Sequence, residues 1–178
     1  MTSRAHLILV IAIALVIGIG VHLQNRGGDD KVIDPAAASI LALRLPDHAG
    51  VIQSVAQWRS KIIIANYWAT WCPPCRKEIP DFVALSHDFA GDPVQIVGIS
   101  IDDADKVQAF RDEYAIPYPL LIASEQVLKE TYKFGNTAKA LPFTVIIDRR
   151  GTVRHIKVGL ATRDEIGGKV RALLNETN

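Results

Sequence analysis

Lys61-Ile-Ile-Ile-Ala-Asn-Tyr-Trp-Ala-Thr-Trp-Cys-Pro-Pro-Cys-Arg-Lys-Glu-Ile-Pro80 is the stretch whose reading decides the fold. Lys61 to Tyr67 holds three consecutive isoleucines, the pattern of a central strand buried on both faces. A Cys-Pro-Pro-Cys motif follows, and a helix is predicted from Pro73. Prolines suit the first helical positions, where an N–H would have no intrahelical partner. With Cys72 as N-cap, Cys75 offers the first free backbone N–H toward the Cys72 sulfur. The positive end of the helix favours a thiolate there. Cys72 is therefore predicted as the attacking thiol, and Cys75, one turn inside, as the more buried resolving thiol. Pro80 is expected to kink the helix.

Outward from this segment the chain alternates. Leu41–Leu45 and Val51–Gln53 flank Pro46-Asp-His-Ala-Gly50, a hairpin signal. Val94–Ile101 reads as the next buried strand, and Asp102–Tyr114 as a helix with Val107, Phe110 and Tyr114 on one face. Tyr118–Ile122 is a short strand, and Ser124 N-caps a helix that Gly135 closes. Phe143–Ile147 and Val153–Val158 form a hairpin around Asp148-Arg-Arg-Gly151. A capping box, Thr162-Arg-Asp-Glu165, opens a last helix burying Ile166, Val170, Leu173 and Leu174. Strands and helices alternate first and a hairpin plus helix closes the chain, so the sheet is predicted to be mixed.

The N-terminus carries a different signal. Arg4 precedes the uncharged apolar run Leu7–Val21, which as helix spans about 22 Å. That length suits an uncleaved signal-anchor or the apolar part of a cleaved export signal, with Gly18-Ile-Gly20 as a site a peptidase could accept. The anchor is the favoured reading, placing the remainder on the non-cytoplasmic side. The expected organisation is a membrane segment over residues 1–23, a polar linker over 24–38 and one folded domain over 39–178.

Composition narrows the chemistry. The chain has 178 residues, 49% hydrophobic and 22% charged, enough for one domain with a sizeable core. Net charge is +1 and no run of Lys or Arg could follow a phosphate backbone, which argues against a nucleic-acid partner. The only two cysteines stand together, so they are read as chemistry and not as a stapled scaffold. A zinc site would need about four ligands, and no second Cys or His pair has ligand spacing.

Asn66 to Pro80 resembles the active-site segment of the thioredoxin superfamily. More narrowly it is similar to the TlpA/ResA group of membrane-tethered envelope thiol-disulfide reductases, near the cytochrome c-maturation thioredoxins. The likeness runs from Leu41 to the C-terminus. It implies an α/β thioredoxin-like fold, with a central mixed β-sheet flanked by helices. An N-terminal β-hairpin and a mid-domain strand and helix, in Val94–Lys133, complete it. It further implies a cis Pro142 facing the cysteines, with Leu141 presenting backbone to an extended client. Trp71 and Pro73 would join them on the docking surface. Glu78 matches an acidic residue of the group and would exchange protons with Cys75; the alternative is a solvated first-turn glutamate. Asn66 is a departure, because thioredoxin has a proton-transferring aspartate there and an amide cannot do that work.

The resemblance thus implies a dithiol reductant on the periplasmic face of the cytoplasmic membrane. Its redox group would be the Cys72–Cys75 disulfide, with no other cofactor and no metal. Disulfide-bearing proteins would be its clients and a membrane thiol protein its electron donor. A disulfide-introducing oxidase is the rival within the class. A Cu(I) chaperone using the same cysteines with His155 is the rival outside it. A peroxidase is disfavoured, since a peroxidatic cysteine normally lacks a neighbour two residues on.

Overall fold

The computed structural model describes residues 34–176. The expected membrane segment and most of the linker lie outside the described residues. Among the described residues, no helix is long and apolar enough to cross a membrane.

The chain enters through helix α1 (Pro35–Leu41), capped by the Asp34 carboxylate on the Ala36 N–H. Ala37, Ile40 and Leu41 on this helix are buried. Folded structure therefore begins before Ser39, and Leu41 belongs to a helix instead of a hairpin strand. Asp34 also ties the segment leading into α1 to the sheet, its N–H donating to Gly151 O and its carboxylate accepting from Val153 N. The hairpin itself is short, β1 (Arg44–Pro46) with β2 (Ile52–Ser54). A 3-10 turn over Val55–Trp58 follows.

The main sheet has the order β5-β4-β3-β6-β7. At its centre β3 (Ile62–Trp68) runs parallel to β4 (Val94–Ser100) and antiparallel to β6 (Phe143–Ile147). The short β5 (Leu120–Ile122) extends the parallel side, and β7 (Val153–Val158) the antiparallel side. The sheet is mixed, as the alternation of elements predicts. Every residue of β3 is buried, because successive side chains enter two separate apolar layers. Ile62, Ile64 and Trp68 join one layer with α2 (Pro73–Asp88), α3 (Ala104–Tyr114) and α5 (Arg163–Asn175). Ile63, Ala65 and Tyr67 join the other, with α1, α4 (Glu125–Lys129) and the 3-10 segment Glu130–Phe134.

Local differences from expectation have local causes. Asp102 is not helical; Asp103 is the N-cap of α3, and Asp102 is buried in the loop before it. The segment from Ser124 to Gly135 splits into α4 and a 3-10 piece, closed by Gly135 at φ 85°. Pro80 falls inside α2, as expected, and the helix runs unbroken over 16 residues. Thr162 does accept the Glu165 N–H, but the Glu165 carboxylate turns to Lys157, at 3.0 Å, and not back to the cap. Leu174 is only partly buried. Gly98 in β4 is required by packing, since a Cβ there would stand 2.6 Å from Leu120 Cδ2 and 3.0 Å from Trp68 Nε1.

Candidate active site

β3 ends at Trp68 and the chain turns through Ala69–Trp71 into α2, so the cysteines stand at the carboxyl end of the central strand. Thr70 in that turn donates its hydroxyl to the Asp102 carboxylate, which Lys106 also meets at 3.1 Å. Burial alone would raise the Asp102 carboxyl. The bonds from Thr70, the Asp103 N–H and Lys106 outweigh it and hold the group below its usual range. A charged, buried anchor thus fixes the turn that presents the cysteines.

Cys72 is the N-cap of α2, with extended backbone, and its Sγ lies 3.4 Å from the Cys75 N–H. Pro73 and Pro74 fill the first helical positions and supply no N–H, leaving Cys75 as the first donor. The two sulfurs form a disulfide. Cys75 is completely buried, whereas Cys72 keeps 4% of its surface. Trp71 beside it is 62% exposed, a large apolar side chain standing in solvent. Trp68 is wholly buried and packs on Phe110, so it is core. Arg76 and Lys77 are exposed, with the Arg76 guanidinium 5.7 Å from the centre of the Phe110 ring.

The Leu141–Pro142 peptide is cis. Pro142 immediately precedes β6, and the Tyr67–Phe143 pair puts that end of β6 beside the strand end from which the cysteine turn departs. Pro142 is buried and Leu141 half-buried. The Pro142 carbonyl accepts from Gly159 N at 2.9 Å, which ties the cis peptide to the end of β7.

Glu78 is not a solvated helix residue. It is 1% exposed, on the inner face of α2. One carboxylate oxygen, Oε1, accepts from Asn66 Nδ2 at 2.7 Å, and the other, Oε2, accepts from the Ala161 N–H at 2.8 Å. Burial is the largest influence and pushes the carboxyl up to about 7. The two hydrogen bonds oppose this rise and the nearby Asp81 adds to it. The carboxyl thus lies near neutrality, one helical turn beyond Cys75. Asn66 Nδ2 also donates to Thr144 Oγ1 at 3.1 Å.

Sequence reasoning set Asn66 aside because an amide cannot titrate, yet it is the side chain that grips Glu78. Thr144 was missed. The available signal was a lone hydroxyl in the otherwise apolar run Phe143–Ile147, on the register position opposite Asn66. His155 does not join the cysteines; it lies half-buried on β7, with Nε2 3.6 Å from Glu165. Among the described residues, no three His, Cys, Asp or Glu side chains gather as metal donors would. The copper reading therefore has no third ligand there.

Known proteins can be set beside this geometry. The family model described as "AhpC/TSA family" matches residues 37–156. The thioredoxin-like protein YneN of Bacillus subtilis is 32% identical over 126 residues, covering 68% of this chain and 71% of that protein. The thiol-disulfide oxidoreductase ResA of Oceanobacillus iheyensis is 28% identical over 181 residues, covering 98% and 90%. Among solved structures, a thiol:disulfide interchange protein of the thioredoxin family from Chlorobium tepidum superposes with a TM-score of 0.67 at 28% identity. That match covers 75% of this chain and 93% of the other.

Proposed function

Because the chain belongs to the AhpC/TSA family, and its relatives include named thiol-disulfide oxidoreductases, we propose that it is a dithiol reductant of disulfide-bearing proteins in the cell envelope. The observation that carries this reading is the Cys72–Cys75 disulfide at the head of α2, with the outer sulfur capping the helix and the inner one buried.

In the reduced protein the Cys72 thiolate attacks a client disulfide. An S–S bond forms to Cys72 and the client's second sulfur leaves as a thiolate, which water protonates. Cys75 then gives its proton to Glu78 and attacks the Cys72 sulfur. The client's remaining sulfur departs and the Cys72–Cys75 bond closes. Two electrons have moved from the enzyme to the client, and the Cys pair is the only redox group the exchange needs. Exposed Trp71 and Pro73 and half-buried Leu141, joined by its cis peptide to the buried Pro142, form the surface on which the client strand lies.

Direction follows from the donors around Cys72. Prolines at both intervening positions leave the sulfur with the Cys75 N–H at 3.4 Å as its helix-end donor. Few donors mean little stabilisation of the reduced thiolate, on which a strong oxidant depends. We therefore place the couple near thioredoxin, about −270 mV, and away from DsbA, about −120 mV. Equilibration of the purified protein with glutathione or dithiothreitol measures it. A potential above about −180 mV would sink the reductase reading and leave an oxidase or isomerase.

The apolar run Leu7–Val21 supports a single-pass tether, with the folded domain on the periplasmic face of the cytoplasmic membrane. Electrons then come from a thiol protein within that membrane. A reporter that works only in the cytoplasm, fused after Asn178, should stay silent; a signal would refute this placement.

A further inference from the structure

Resting on the reading of Glu78 as the proton partner of Cys75, we propose that Asn66 is a positioning residue whose side-chain amide reverses when Glu78 gains a proton. Its nitrogen faces the carboxylate, and its oxygen faces the carboxylic acid.

Glu78 Oε2 receives the Ala161 backbone N–H at 2.8 Å, and a backbone amide only donates, so that oxygen stays an acceptor. The proton arriving at Glu78 therefore sits on Oε1. There it meets Asn66 Nδ2 at 2.7 Å, which is also only a donor. Two donors cannot share that contact. Rotation of the amide by half a turn replaces Nδ2 with Oδ1, and the acid then donates to it.

Two further features fit the reversal. Asn66 Oδ1 is buried without a hydrogen-bond partner in the ionised arrangement, although Asn66 is 0% exposed. After the turn that oxygen gains a donor, and Nδ2 becomes the unpaired atom. Each orientation thus leaves one buried polar atom unmatched, so neither is strongly preferred on its own. The second feature is Thr144, whose hydroxyl lies 3.1 Å from the amide. A hydroxyl accepts from Nδ2 in one state and, by rotating, donates to Oδ1 in the other. An apolar residue or a carboxylate there would serve only one state.

Among the described residues, no group other than Asn66 hydrogen-bonds Oε1 of Glu78. Its neighbours on α2 are Asp81, one turn on, and Cys75, one turn before. From the segment ahead of β5 comes Tyr118, whose hydroxyl is buried without a partner and feels the Glu78 charge. From β3, β6 and the loop before α5 come Asn66, Thr144 and the Ala161 N–H, all uncharged. The carboxyl lies near neutrality, so both states are reached in the working range. Glu78 then keeps a hydrogen-bond partner on each oxygen whether it holds the Cys75 proton or has released it.

The test is NMR on the oxidised full-length protein labelled at Asn and Glu. The Glu78 carboxyl carbon and the Asn66 side-chain amide are followed from about pH 5 to about pH 9. Cross-relaxation between the Asn66 amide protons and the Thr144 side chain should be present above the Glu78 midpoint and lost below it. In Glu78→Gln the Ala161 N–H holds the new carbonyl oxygen, so the new NH2 group faces Asn66. That variant should lack the cross-peak at every pH. If the cross-peak does not change while the Glu78 carbon titrates, the reversal is wrong and the Glu78 reading survives. If the Glu78 carbon does not titrate in this range, both fall. Should Glu78→Gln not fold, the titration of the unaltered protein decides alone.

Discussion

Replacing Glu78 by Gln keeps the shape of a buried side chain and removes its titration. The carboxyl is raised by burial from 4.5 to about 7. Below the lower value both folded and unfolded chains hold this proton. Between the two values the folded chain keeps it and the unfolded chain does not, so stability falls as pH rises, by about 1.4 kcal/mol per pH unit. Above about pH 7 the loss is complete and totals about 3 kcal/mol. The Gln variant has no such proton to lose. Asp47, Asp102 and Asp148, held below their usual range, titrate in acid in both proteins and cancel in the difference. Urea unfolding of the oxidised protein and the variant at about pH 4.5, 6 and 8 gives that difference. It should shift by about 3 kcal/mol in favour of the variant between the lowest and highest pH. A difference constant to within about 0.5 kcal/mol, or one shifting the other way, would refute the claim that burial dominates at Glu78.

Cys75→Ser should accumulate mixed disulfides through Cys72 when the reduced variant meets client proteins, as mass spectrometry of trapped complexes would show. Trapping through Cys75 in Cys72→Ser instead would reverse the roles assigned to the two sulfurs. Gly98→Ala forces a methyl group against Leu120 and the Trp68 indole, and overpacking of this kind costs about 1–3 kcal/mol. An unfolding midpoint unchanged in urea would show that the layer between β4 and α2 yields more easily than its packing implies.

The backbone of this fold was largely legible in residue patterns. Three isoleucines marked the strand whose two faces both meet apolar layers, and the Cys-Pro-Pro-Cys turn marked the helix start. Legibility failed where a residue's role depends on a partner distant in sequence. Glu78 stands out only through its likeness to an acidic residue of the TlpA/ResA group; its local pattern alone is that of a solvated helix glutamate until β3 and Ala161 enclose it. Asn66 reads as a loss of function relative to an aspartate until the carboxylate is seen beside it. Leu41 has strand-like neighbours, but the Asp34 cap and Pro35 start a helix that local alternation does not reveal. Asp102 looks like a helix-opening acid, and local pattern does not reveal the Thr70 hydroxyl, 32 residues earlier, that meets its buried carboxylate.

The two halves of the redox site assemble over very different chain separations. The cap joining Cys72 to the Cys75 N–H spans three residues, while Glu78 reaches Ala161 across 83 and Asn66 reaches Thr144 across 78. Closing loops of that size carries an entropy cost that contacts repay only once β6 and the loop before α5 have docked. In folding, therefore, the Cys72 turn can close before the carboxyl is enclosed. In that interval Glu78 is an ordinary hydrated acid and the cysteines exchange without it. An oxidant met at that stage finds a dithiol that can already close into the disulfide.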